Sequence, residues 1–135
     1  MHTSFFTRLV ALSAIASLAV ALPSGCDRKV TIKAGDTCAT ISAAHKVSTY
    51  QLMKVNTGVI NTACDLHVGE EICLAIKGQD CTAVHVVKYG DVCNAIVNEA
   101  GISLSTLYAN NPNINEGCTN LYPDEVLCTS SHIYY

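Results

Sequence analysis

The hydrophobic and polar positions of this chain run through the same pattern twice. A short run rich in β-branched residues, Val30-Thr31-Ile32-Lys33, halts at Gly35-Asp36, and a second, Val84-His85-Val86-Val87-Lys88, halts at Gly90-Asp91. Such runs bounded by turn residues predict strands. Beyond each turn, Cys38 with Ile41, and Cys93 with Ile96 and Val97, recur at helical spacing. A helix with that face on the sheet is therefore expected. Asp36 and Asp91 are expected to be its N-caps, because a short acceptor side chain satisfies the free N–H groups of a first turn. Ser48 predicts the cap of a second helix, with Gln51 completing a capping box and Val47 stapled onto Leu52, and Ile102, Ser103 and Leu107 repeat that arrangement. Glu71-Ile72-Cys73-Leu74 and Glu125-Val126-Leu127-Cys128 close each unit as its second strand.

The cysteines confirm that the pattern is a tandem duplication. Cys26, Cys38, Cys64 and Cys73 are followed 54 or 55 residues later by Cys81, Cys93, Cys118 and Cys128. Ile41 then pairs with Ile96, Leu52 with Leu107, and Asn56 with Asn111. A fixed period in cysteines and intervening residues alike outweighs the one-domain expectation for a chain of this length. The fold class is α+β: two small strand-helix-helix-strand modules, at 26–75 and 81–129, joined by a linker at 76–80. The stretch Ala75–Asp80, which contains Gly78, reaches little more than about 20 Å at about 3.3–3.6 Å per residue, so the modules are neighbours.

Ahead of the first module, Arg8 precedes an apolar run, Leu9–Leu22, broken by Ser13 and Ser17 and ending in Ala19-Val20-Ala21. This reads as a secretory signal peptide over 1–21, leaving Leu22–Tyr135 as a secreted chain. Eight cysteines routed to an oxidising compartment predict four disulfides. Two per unit, at roughly 2–4 kcal/mol each, would support a thin core. Pairing within each repeat is the simplest arrangement, but four cysteines allow three connectivities and the spacing does not choose among them. Structural zinc sites usually place two cysteines two to four residues apart, and the tightest spacing here is Cys73 to Cys81, so neither a metal nor another cofactor is expected.

Without Arg8, seven basic residues face eleven acidic ones, a net charge of −4. There is no basic stripe, which argues against nucleic acid or an anionic membrane surface as partner. No apolar run after the signal segment is long enough to span a bilayer. A neutral ligand fits better.

The strand-helix-helix-strand order, Gly35-Asp36-Thr37 at the end of the first strand and Asn111-Pro112-Asn113-Ile114 after the fourth helix look like the LysM fold. More narrowly, two modules behind a signal peptide, with Cys38 directly after Gly-Asp-Thr, resemble the secreted fungal LysM effectors. The resemblance covers Cys26–Thr129. It implies a non-catalytic protein that binds chitin oligomers in a shallow groove, sequestering them from host receptors or shielding the fungal wall from chitinases. By position, the first groove would be Gly35, Asp36, Thr37 and Ala39 with Asn56, Thr57, Gly58, Val59 and Ile60. The second would be Gly90, Asp91, Val92 and Asn94 with Asn111, Pro112, Asn113, Ile114 and Asn115. Ligand-induced self-association is a further expectation, since a long oligomer could bridge two copies.

The residue types suit that ligand. An N-acetylglucosamine chain offers amide, hydroxyl and methyl groups at every sugar. Glycine permits close backbone approach, asparagine amides both donate and accept, and Val59 or Ile114 could meet the acetyl methyl. Asn56 and Asn111 could equally be helix C-caps. The first loop, Asn56-Thr57-Gly58, lacks the proline of the second and is expected to be softer. Tyr50, Tyr89, Tyr108 and Tyr122 are possible flanking contacts. Hydrolysis of a glycoside usually needs two carboxylates across a cleft, and the acids here sit in caps and turns. His45, His67, His85 and His132 have no repeated partner. The competing functions are a peptidoglycan-type glycan binder of the same fold and a structural or adhesive wall protein.

Overall fold

The structure is a computed structural model describing residues 21–135; the signal-peptide expectation lies outside these apart from Ala21. The first module consists of β1 (Cys26–Thr31), α1 (Cys38–His45), α2 (Thr49–Val55) and β2 (Glu71–Ile76). The second repeats it as β3 (Val84–Val86), α3 (Cys93–Ala100), α4 (Leu104–Asn110) and β4 (Val126–Cys128). β1 pairs antiparallel with β2, Val30 opposite Ile72, and β3 with β4, His85 opposite Leu127.

Each pair of helices lies on its own two-stranded sheet and closes a small apolar core. Ile32, Ile41, Val47, Leu52 and Ile72 are buried together in the first module, and Val87, Ile96, Leu107 and Leu127 in the second. Val47 is fully buried with Leu52, and Ile102 packs against the cluster that holds Leu107, as the staple predicts. The four disulfides staple these cores in nested pairs, Cys26–Cys73 around Cys38–Cys64 and Cys81–Cys128 around Cys93–Cys118. The outer bridge ties the two strands in module one and the segment before β3 to β4 in module two, and the inner one ties the first helix to the loop before the closing strand.

The caps differ from expectation. The N-caps of α1 and α3 are Thr37 and Val92, one residue after the aspartates. Thr37 forms a reciprocal box with Thr40, whereas Val92 has no side-chain acceptor to offer. Asp36 and Asp91 instead turn back and accept the N–H groups of Lys33 and Lys88, at 2.8 and 2.9 Å, closing the turn after the strand. Ser48 does cap α2 by accepting from the Gln51 N–H. The return half of that box is missing, because the buried Gln51 amide finds partners farther along the chain. It donates to the Leu74 carbonyl and to Asp80, and accepts from the Cys81 N–H.

These bonds fix the segment between the modules. Asp80 also receives two hydrogen bonds from the Arg28 guanidinium, at 2.8 and 2.7 Å, and Arg28 donates a third to the His45 carbonyl. Module two docks directly on module one, with the Val126 N–H donating to the Thr49 hydroxyl at 2.9 Å. A short tether has become a bonded seam.

Candidate functional site

Two loops of each module flank the same end of its sheet. The turn after the first strand requires glycine at its tip, since Gly35 and Gly90 have φ of 87° and 89°, a region that side chains with a Cβ rarely enter. In module two this turn has an extra partner: His85 Nε2 lies 2.8 Å from Asp91 Oδ2. The Lys88 N–H, and secondarily the His85 hydrogen bond, hold the Asp91 carboxyl below its ordinary pKa. Val30, the counterpart of His85, has no such group to give.

In the loops after α2 and α4 the structure corrects four expected contacts. Asn56 and Asn111 are buried, at 2% and 0% exposure, and their amides are consumed inside. Asn56 donates to the carbonyls of Leu52 and Cys73 and accepts from the Cys73 N–H. Asn111 does the same with Leu107 and Cys128. Each is a C-cap that also pairs with the closing strand, so it supports the loop from beneath and leaves its amide nothing to offer a sugar. Ile60 and Ile114, both 5% exposed, belong to the cores rather than to an acetyl-facing shelf. The Asn56-Thr57-Gly58 loop is also well tied: Val59 and Ile60 donate to the Asn56 carbonyl and the Thr57 hydroxyl to Lys54.

A second asparagine pair, one member of which sequence reasoning passed over, organises the rest of each loop. Asn61 accepts from the Asp65 N–H and donates to its carboxylate, while Asn115 accepts from the Thr119 N–H and donates to its hydroxyl. The offset of 54 residues that relates Cys64 to Cys118 also relates these two, and could have revealed Asn61.

In module one the loops converge on an open cleft of about 1070 Å³. Of the expected residues, Asp36, Thr37, Ala39 and Val59 line it. Thr57, Gly58 and Ile60 border an adjoining shallow depression with Val59, Tyr50 and Lys54; Gly35 is exposed beside Asp36. Cys38, Thr49, Tyr50, Met53, Asn61 and the run Thr62–His67 complete the module-one side. The opposite wall comes from module two: Asn113, Tyr122, Asp124 and Glu125. Asn113, expected in the second groove, thus faces the first. Among the described residues, no lysine or arginine lines the cleft.

Glu125 anchors that wall. It is 2% exposed, accepts from the Asn113 amide at 2.7 Å and lies 3.4 Å from the Tyr122 N–H. Burial raises its pKa above the ordinary value, with those two donors acting against the shift. Burial, and then the Glu125 charge, likewise raise the Tyr122 phenol. In module two, Gly90, Val92, Asn94, Pro112 and Asn115 are exposed and Asp91 half-buried. Tyr89 and Val92, at 96% and 57% exposure, add an apolar rim where module one has Ala34 and Thr37. Among the described residues no group of His, Cys, Asp and Glu is arranged to hold a metal ion.

Duplicated modules of this topology, each with a Gly-Asp turn facing an asparagine-clamped loop, define a class of small binding domain. The LysM domain family matches residues 30–75 and 85–130, and the chain belongs to that family. It is 35% identical to the non-secreted LysM effector LCP1 of Gibberella moniliformis, over 87% of this chain and 15% of that protein. To a secreted LysM effector of Pochonia chlamydosporia it is 33% identical, over 78% of this chain and 15% of the relative. The secreted LysM effector LysM2 of Penicillium expansum is 29% identical over 78% of this chain and 33% of its own length. This chain therefore spans a third or less of each of these relatives.

Proposed function

We propose that this chain is a secreted, non-catalytic binder of chitin oligomers. The observation that carries this reading is the module-one cleft, where the two loops of a LysM domain converge on a surface of backbone, amide and hydroxyl groups, the carboxylates of Asp36, Asp65, Asp124 and Glu125, and apolar patches at Met53 and Val59, with neither lysine nor arginine. That surface suits a neutral acetamido sugar. Kinship with effectors, two of those three relatives being named as secreted, supports the extracellular assignment.

The carboxylates support binding over hydrolysis. Glu125 is the cleft acid with a raised pKa, yet its two oxygens face N–H groups of the wall. Incubation with chitohexaose should accordingly yield no shorter oligomers. The biological consequence would be sequestration of oligomers from host receptors or protection of the wall from chitinases. Module two offers its own pair of loops, so long oligomers would bridge copies, visible as mass growth in light scattering.

Calorimetry with chitohexaose, the deacetylated hexamer and muropeptides tests the reading. Chitohexaose should bind best, and raising salt from about 50 to 500 mM should change its affinity little, unlike the steep response of phosphate contacts. A preference for the deacetylated hexamer, or collapse of binding with salt, would refute it, and a preference for muropeptides would reassign the glycan.

A further inference from the structure

Tyr50 borders the cleft and also a second, smaller cavity of about 290 Å³ at the seam between the modules. Tyr50 and Lys54 lie one helical turn apart on α2 and present one side of it; Val55, Ile76 and Pro23 supply an apolar floor. The other wall is Tyr134 and Tyr135, from the segment after β4.

That segment is held by dedicated side chains instead of a sheet ladder. Asn110 occupies the position of Val55 in the first module, and its amide donates to the carbonyls of Ser130 and His132 and accepts from the Tyr134 N–H. Gln79 accepts from the Tyr135 N–H at 2.7 Å. His132 packs edge-on against Tyr134, with ring centroids 4.7 Å apart. The substitution of an amide for an aliphatic residue between the two copies thus builds one wall of the cavity.

The cavity's chemistry is lopsided. Its polar liners Gln51, Gln79 and Asn110 are already engaged by hydrogen bonds within the fold. Its one charged side chain is Lys54, whose ammonium sits 5.7 Å from the centre of the Tyr50 ring. No carboxylate pairs with Lys54 among the described residues. Aromatic and aliphatic walls with a single unpaired cation at the rim complement a flat, apolar body carrying one negative charge.

We propose that this cavity is a second ligand site, meeting the glycan loops only at Tyr50 and Lys54, that takes a small aromatic carboxylate with its ring against Tyr50 and Tyr134 and its carboxylate on Lys54. The site stands whether or not the loops bind glycan.

Nuclear magnetic resonance titration of the full chain with para-hydroxycinnamate and with its neutral amide tests it. The acid should give saturable shifts at Tyr50, Lys54, Val55 and Tyr134, and should bind about threefold to fivefold more tightly than the amide at low salt, the range of an exposed ion pair. Lys54→Gln should erase that preference and leave amide binding unchanged. Asn110→Val, which installs the module-one residue and frees the C-terminal segment, should weaken both probes, with circular dichroism reporting the fold. Equal affinity for acid and amide, indifference to Lys54→Gln, shifts confined to the cleft loops, or no binding at millimolar probe would each overturn the assignment.

Discussion

The two modules share a backbone plan but secure the turn after the first strand by different chemistry. In module one, Thr37 and Thr40 exchange hydroxyl and backbone hydrogen bonds across the first turn of α1. In module two, Val92 leaves that cap empty, and the turn is held from the strand by the His85–Asp91 pair. A hydroxyl cap carries no charge, whereas the His85 hydrogen bond is one of the causes that lower the Asp91 pKa. The closing strands differ in the same sense. Glu70 remains partly exposed with His67 3.4 Å away, while its counterpart Glu125 is sealed into the seam. Duplication therefore preserved the fold and left the second copy with a lowered Asp91 and a raised Glu125 pKa.

The largest effects should come from the outer disulfides, which close loops of equal sequence separation, 47 residues in each module. Chain entropy alone then predicts equal losses, roughly 2–5 kcal/mol for Cys26→Ser/Cys73→Ser and for Cys81→Ser/Cys128→Ser. Denaturant melts of the two double variants would show whether the copies are equivalent. A clearly larger loss for the second pair would mean that Cys81, which also donates its N–H to Gln51, couples the modules through the seam.

Next come the buried asparagines. Asn56→Leu and Asn111→Leu each remove three hydrogen bonds and strand the N–H and carbonyl of a closing-strand cysteine. A loss of about 2–4 kcal/mol is expected from each, since unsatisfied buried backbone groups carry the full desolvation penalty. The informative control is affinity measured well below the melting temperature. If either variant keeps its stability but loses chitohexaose, the amide reaches ligand after all and its placement as an internal clamp is wrong.

These asparagines mark where the sequence was legible and where it stopped. The repeat, the order of elements, the core positions and the cysteine count all follow from patterns with a fixed period, and the structure has them where the pattern puts them. The direction in which a polar side chain points has no such signature. Asn56 reads equally as a cap or as a ligand group, and only its distance from the closing strand decides. Asp36 and Asp91 satisfy the composition rule for a cap, but Thr37 and Val92 take the position because the aspartates close the preceding turn. Gln51 shows the limit most plainly: its partners at Leu74, Asp80 and Cys81 are 23 to 30 residues away. The same holds for the cleft, whose second wall belongs to another module and has no local signal.

Tyrosines sharpen the comparison at the level of binding. Tyr122 borders the module-one cleft from across the seam, while Tyr89 stands exposed beside the module-two turn. Tyr122→Ala should weaken chitohexaose about threefold to tenfold, the scale of losing one aromatic contact. Tyr89→Ala should do less if the cleft dominates. A reversed order in calorimetry would move the principal site to module two.

The smallest effects concern protons, and their signs oppose each other. The Glu125 pKa is raised on folding, so its contribution to stability is fully present below the unfolded value of about 4.3 and is lost as pH rises through the folded value. Glu125→Gln should flatten that decline while keeping an acceptor for Asn113. The Asp91 pKa is lowered, so its contribution is present above the unfolded value of about 3.9 and is lost as pH falls through the folded one. His85→Val gives module two the residue that module one has at this position. The Asp91 carboxyl should then titrate at higher pH, yet still below its ordinary value, because the Lys88 N–H is the larger cause and remains in place. Carbon-13 titration of the Asp91 side chain measures this directly. If its midpoint is the same with and without the imidazole, the pair does not form in solution, and the two turns differ only in the cap that Thr37 has and Val92 lacks.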